Sequence, residues 1–142
     1  TVMKFAQARL SPPSFGQIAG EAALDLPADY FDATKMEYTS RRDLLVNRLK
    51  GMPGVICPNP GGAFYAMAKL PIEDCDHFCQ WLLESFSYNN QTVMLAPGSG
   101  FYGTPGLGRQ EVRIAYVLNT ASLNVAMDCL EKALLEYPFR KE

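Results

Sequence analysis

The order of apolar periodicities along the chain predicts an α+β fold. The expected form is a two-layer small domain with a mostly antiparallel sheet, covered by helices on one face and preceded by a long connecting helix. Three observations carry the prediction. A long charged helical pattern runs from about Ala28 to Lys50 and meets Gly51, a residue suited to helix C-termini. After Gly54, short apolar runs alternate with turns rich in glycine and proline. Near the C-terminus, Leu123, Met127, Leu130, Leu134 and Tyr137 recur at helical spacing. Residues 1–50 are therefore read as a helical connector and residues 51–142 as the small α+β domain.

Each element has its own local reason. From Ser11 to about Leu24, Ser-Pro-Pro opens a short alanine-rich helix, because proline is tolerated in a first turn; Pro27 ends it. In the long helix, Phe31, Tyr38, Leu45 and Leu49 lie near one another on one side. Val55 to Cys57 and Ala63 to Met67 are strand candidates, separated by Pro58-Asn59-Pro60-Gly61-Gly62. Asp74 can cap a helix from Cys75 to about Ser87, with Phe78, Leu82 and Phe86 facing a core. Thr92 to Leu95 and Glu111 to Val117 read as further strands, flanking a glycine-rich loop from Pro97 to Gly108. Asn119 and Thr120 offer caps for the last helix.

Composition excludes several function classes. The 142 residues suffice for a genuine core, and 48% are apolar while 20% are charged, as in ordinary globular domains. A net charge of −2 with interspersed signs gives no electrostatic case for nucleic acid or an anionic membrane. No apolar run approaches the ~20 residues of a membrane span. The start, TVMKFAQARL, lacks both an initiator Met and the pattern of a secretory signal, which suggests a piece of a longer cytoplasmic protein. Cys57, Cys75, Cys79 and Cys129 read as packed, reduced thiols. On a helix, His77 points away from the face shared by Cys75 and Cys79, so those three do not converge on a metal ion.

Gly98-Ser99-Gly100-Phe101-Tyr102-Gly103 matches the dinucleotide pattern G-x-G-x-x-G, but Thr104-Pro105-Gly106 follows where a long helix should start. Nucleotide binding is rejected, and a mobile loop is expected instead. Asn90-Gln91-Thr92 is a chance glycosylation sequon in the absence of a secretory signal. Arg113 is more informative, standing in the apolar run Val112-Arg113-Ile114-Ala115-Tyr116-Val117. Such a residue faces solvent, pairs with an acid, or awaits an anionic ligand, and the pattern alone favours the first two. The third suits arginine's planar fork, which takes a carboxylate through two parallel hydrogen bonds. Arg9 and the pair Arg41-Arg42 read as surface charges on helices, and the single histidine, His77, as an exposed helix residue. With no nucleophile–base pair and no ligand cluster, the chain looks able to hold a substrate but not to transform one.

Four segments together resemble one family, the fold-type-I pyridoxal-phosphate aminotransferases of class I/II, the aspartate aminotransferase group. They are Leu10-Ser11-Pro12-Pro13-Ser14-Phe15-Gly16-Gln17, Pro60-Gly61-Gly62-Ala63-Phe64-Tyr65, Val93 to Phe101 with its Ala96-Pro97-Gly98, and Val112-Arg113-Ile114-Ala115. The resemblance spans essentially the whole chain in the family's order, and it reverses the reading of Arg113. It implies a cytoplasmic enzyme, homodimeric when intact, that passes an amino group between an amino acid and a 2-oxo acid through pyridoxal 5'-phosphate. Arg113 is implied to grip the substrate α-carboxylate. The Pro97–Gly108 loop, with Phe101, is implied to lie near the substrate entrance, and Ser11 near the subunit boundary.

Arg9 is close to the place of the family's distal-carboxylate arginine but out of register by a few residues, which leaves the amino acid open. None of Lys4, Lys35, Lys50, Lys69, Lys132 and Lys141 stands in the family's cofactor-lysine context, so this piece is expected to lack the catalytic lysine and to be inactive alone. A lyase or synthase of the same fold type would share Arg113. A free-standing carboxylate-binding or interaction module is the alternative from another class.

Overall fold

The computed structural model describes residues 2–4 and 13–141. The chain divides into two compact units, Thr1–Lys35 and Met36–Glu142. In the first, α1 (Ser14–Ala23) starts from Pro13, whose extended backbone and carbonyl serve the Gln17 N–H at 3.1 Å in place of a side-chain cap. No residue of α1 is buried, and Phe15 and Ile18 are exposed. Next comes α2 (Ala28–Gly51), which crosses the boundary between the units.

The second unit holds the core. From Met36 onward α2 contributes Leu45, Val46 and Leu49, all buried and clustered with residues of the sheet and of the two later helices. It is pinned by two arginines. Arg48 reaches Asp128 at 2.6 Å and Asn124 at 3.1 Å, while Arg41 donates to the Val117 carbonyl at 2.7 Å and pairs with Glu37. Arg41 is thus not the free surface charge expected from the sequence: it ties its helix to the exit of a strand. Arg42 pairs locally with Asp43.

The sheet has three strands, β1 (Tyr65–Lys69), β2 (Ala96–Pro97) and β3 (Glu111–Ala115), in the order β1-β3-β2 with both pairings antiparallel. The last strand starts at Glu111 as expected, while the earlier strand boundaries differ from the sequence reading, each for a local reason. Val55 to Cys57 makes only one bridge, Ile56 to Lys69, because Pro58 supplies no N–H and Gly54 turns at φ +82°. Ala63 sits at φ +60°, outside the extended region, so β1 begins two residues later than expected. Thr92 to Leu95 is not a strand. Asn89 and Asn90, at φ +52° and +59°, make a tight turn closed by Tyr88 and Gln91, and the Thr92 hydroxyl donates to the Leu82 carbonyl at 2.6 Å. Pairing therefore begins only at Ala96.

Period-2 alternation then sorts the sheet. Ala66, Ala68, Val112 and Ile114 point into the core, while Tyr65, Met67, Lys69, Glu111 and Arg113 share the other face. The core is completed by α3 (Cys75–Glu84) and α4 (Thr120–Glu136). Asp74 caps α3 by accepting from the N–H groups of Asp76 and His77, and Asn119 caps α4 through the Ser122 N–H at 2.8 Å. The whole expected stripe of α4, Leu123 to Tyr137, is buried. All four cysteines are buried and free, and burial pushes the Cys79 thiol up to about 12. No described helix is long and apolar enough to cross a membrane.

Candidate functional site

Arg113 is central in the sheet's middle strand. Met67 lies opposite it on one side and Ala96 on the other, and its half-buried side chain stands on the face away from the core. Two rings meet its guanidinium carbon. Tyr65, from β1, has its centroid at 5.1 Å, and Phe101, from the segment after β2, at 4.8 Å. Phe64 stands edge-on against Tyr65 with centroids 5.6 Å apart.

No carboxylate among the described residues answers the charge. Among the described residues Arg41, Arg42, Arg48 and Arg109 each pair with an acid, and Arg140 donates to the Leu134 carbonyl. Arg113 is the described arginine with neither an ion pair nor a hydrogen bond, so its planar fork is free for an external anion. Cation–π contact with two rings offsets part of the desolvation without using an N–H donor.

The loop that delivers Phe101 is tied at both ends to β3. Gly98 N–H donates to the Glu111 carbonyl at 2.7 Å, and Glu111 N–H donates back to the Gly108 carbonyl at 2.9 Å. The Tyr102 hydroxyl donates to the Glu111 carboxylate, a bond that, with some desolvation, pushes the phenol above its ordinary value. Ser99 donates to Asp76 at 2.6 Å and the Cys75 thiol to the Gly108 carbonyl at 3.3 Å, which fixes the loop on the start of α3. Two glycines permit this. A Cβ at Gly98 would stand 2.6 Å from the Glu111 carbonyl oxygen, and one at Gly108, where φ is +72°, 2.5 Å from the Tyr102 ring. The fingerprint-like glycines thus open a single 3-10 turn, Ser99–Phe101, that presents an aromatic ring.

Among the described residues, the remaining sequence candidate His77 does not join Arg113. Arg9 and Ser11 lie outside the described residues. His77 is exposed as expected, yet its Nδ1 is 2.6 Å from the Tyr137 hydroxyl and its ring meets Phe139 edge-on. A cleft of about 510 Å³ is lined by Lys69, Glu73, Arg109, Glu111 and Lys141, and another of about 270 Å³ by His77, Tyr137 and Phe139; neither includes Arg113. Tyr65, Tyr102 and Glu111 were missed by the sequence reading. Glu111 was accessible to it, because a residue two before Arg113 in a strand must share its face.

The model of the family "Aminotransferase class I and II" matches residues 1–130. The chain belongs to this family. Among its curated relatives, an aspartate aminotransferase of Pyrococcus horikoshii is 37% identical over 125 residues, covering 85% of this chain and 30% of the relative. An aspartate aminotransferase of Rhizobium meliloti is 32% identical, covering 89% and 32%. The chain therefore spans about a third of the length of the relatives it matches. Among solved structures, an alanine aminotransferase from Pyrococcus furiosus superposes with a TM-score of 0.67 at 31% identity, covering 91% of this chain and 32% of that one. An aspartate aminotransferase from Thermotoga maritima gives 0.68 at 32% identity, covering 87% and 29%. The aminotransferase fold type I expected from the four motifs is thus that of the structural neighbours.

Proposed function

We propose that this aminotransferase chain supplies the α-carboxylate clamp of an enzyme exchanging an amino group between an amino acid and a 2-oxo acid, with Arg113 as the clamp. One observation carries the reading: Arg113 alone among the described arginines keeps its fork unpaired, on an open sheet face. A carboxylate placed there receives two parallel N–H···O bonds, which fix the orientation of the attached α-carbon. Residues 51–142 form the clamping portion, and residues 1–50 its helical lead.

The family implies pyridoxal 5'-phosphate, which when bound supplies the electron sink for bond breaking at the α-carbon. The residues described fit the substrate carboxylate better than the cofactor. All six lysines are exposed, so none has the desolvated setting expected of a cofactor-binding lysine. We accordingly assign no lysine of this chain to the reaction, and expect the 142-residue chain alone to be inactive. The free, buried cysteines suit a reducing cytoplasm, and a homodimer is the assembly proposed for the intact enzyme. The amino donor stays open among aspartate, alanine and aromatic amino acids.

The test is Arg113→Ala in the intact protein. Loss of the fork should cost ~2–4 kcal/mol of transition-state binding, roughly 30- to 1,000-fold in kcat/KM. Arg113→Lys, which keeps charge but not the fork, should fall between wild type and alanine. Near-normal kinetics in Arg113→Ala would remove the assignment.

A further inference from the structure

A cation on a strand usually has an acid nearby, and any acid bonded to Arg113 would occupy the fork that a substrate needs. The structure meets this conflict with aromatic rings. Tyr65 reaches the guanidinium from β1 and Phe101 from the segment after β2; since β3 lies between those strands, the rings arrive from opposite flanks. Rings attract a guanidinium through its π face and leave its N–H edges free. We propose that Tyr65 and Phe101 are positioning residues that stand in for a counter-ion, holding Arg113 aimed and unneutralised, with Phe101 delivered by the glycine loop.

The inference rests on the reading of Arg113 as the carboxylate clamp and adds how the clamp is prepared. Several features support an active placement of Phe101. The residue is 54% exposed, so core packing does not explain its position. The adjoining Tyr102 is bonded to Glu111, two residues before Arg113 on the same strand, so ring and arginine are registered to one frame. Gly98 and Gly108 allow the loop an approach to β3 that a Cβ at either position would block. The placement of Phe101 therefore depends on the strand that carries Arg113.

A double-mutant cycle in the intact protein tests this. Values of kcat and KM are measured for wild type, Phe101→Leu, Arg113→Ala and the double variant, using the amino acid on which wild type has its highest kcat/KM. Phe101→Leu keeps an apolar side chain but removes the π face. It should lower kcat/KM roughly 3- to 30-fold, mostly through KM. Phe101→Tyr and Phe101→Trp should stay within about 3-fold of wild type, and Tyr65→Leu should resemble Phe101→Leu. In the Arg113→Ala background, Phe101→Leu should change kcat/KM by less than about 2-fold, since its only route of action is gone.

An equal loss in both backgrounds, or failure of the aromatic replacements to restore activity, overturns the positioning role. Wild-type behaviour of Phe101→Leu beside a severely impaired Arg113→Ala also overturns it, while the clamp itself stands. Near-normal Arg113→Ala removes the clamp and the positioning role together.

Discussion

Gly108→Ala is the most direct test of how the loop is held. Two effects act at that position. The residue lies at φ +72°, where an L side chain costs roughly 1 kcal/mol. The new methyl would also stand 2.5 and 2.6 Å from two carbons of the Tyr102 ring and 2.8 Å from the Gly98 carbonyl oxygen. The ring can swing aside at the expense of its bond to Glu111. The carbonyl cannot easily move, because Gly98 is itself pressed against Glu111 backbone. Overpacking of this kind adds ~1–3 kcal/mol, so the expected total is ~2–4 kcal/mol. Gly106→Ala is the built-in control: φ is +88°, yet nothing lies within 4 Å of its added Cβ, so only the ~1 kcal/mol of strain should appear. Urea unfolding of the 142-residue chain, followed by its single tryptophan, Trp81, gives both values. Trp81 reports on the core because it packs against Phe78, Phe86 and Tyr137. Equal losses in the two variants, or a loss under ~0.5 kcal/mol for Gly108→Ala, would refute the close-approach reasoning.

Other consequences follow from separate features. Asp74 is held below the usual carboxylate range chiefly by the His77 backbone N–H, with the Arg109 guanidinium adding to it. Its folded value lies below its unfolded one, so its contribution is fully present above about pH 4 and is lost as pH falls through the folded value. Asp74→Ala should cost ~0.5–2 kcal/mol at pH 7 and flatten stability against pH below about 4, as read by urea titrations at several pH values. Leu130→Ala, at a fully buried position of α4, should cost ~2–5 kcal/mol in the same assay. Burial raises Cys57, Cys79 and Cys129, so these thiols should react with Ellman's reagent slowly in the native chain and rapidly in urea. Prompt native labelling of Cys79 would contradict its placement.

The helices were legible in the sequence because their signals are local. Asp74 and Asn119 cap as their residue types suggest, and α4 buries the stripe its spacing predicts. The strands were less legible because pairing depends on distant partners. Thr92 to Leu95 has a strand's composition, yet the Asn89-Asn90 turn and the bond from Thr92 to Leu82 take it out of the sheet. Arg113 lay between these cases. Alternation placed it opposite Val112 and Ile114, but no local pattern revealed whether an acid would meet it. That depended on Tyr65 and Phe101, far apart along the chain and joined only through β3.

The clamp and the loop make opposing demands on stability. A carboxylate beside Arg113 would relieve the cost of partly burying an unpaired charge, but would compete with any substrate for the same N–H donors. Rings relieve less of that cost and compete for none of the donors. The loop bearing one ring must then be held by bonds of its own: Gly98 and Gly108 to the backbone of Glu111, and Tyr102 to its carboxylate. Glu111 thereby supplies an acid near Arg113 without pairing to it. Glu111→Gln should test that division of labour, because it keeps an acceptor for Tyr102 while removing the charge. A change in kcat/KM of less than about 3-fold is expected if the acid only holds the loop. A gain or loss beyond about 10-fold, with Tyr102→Phe near normal, would instead show that the Glu111 charge acts on Arg113 or on the bound anion.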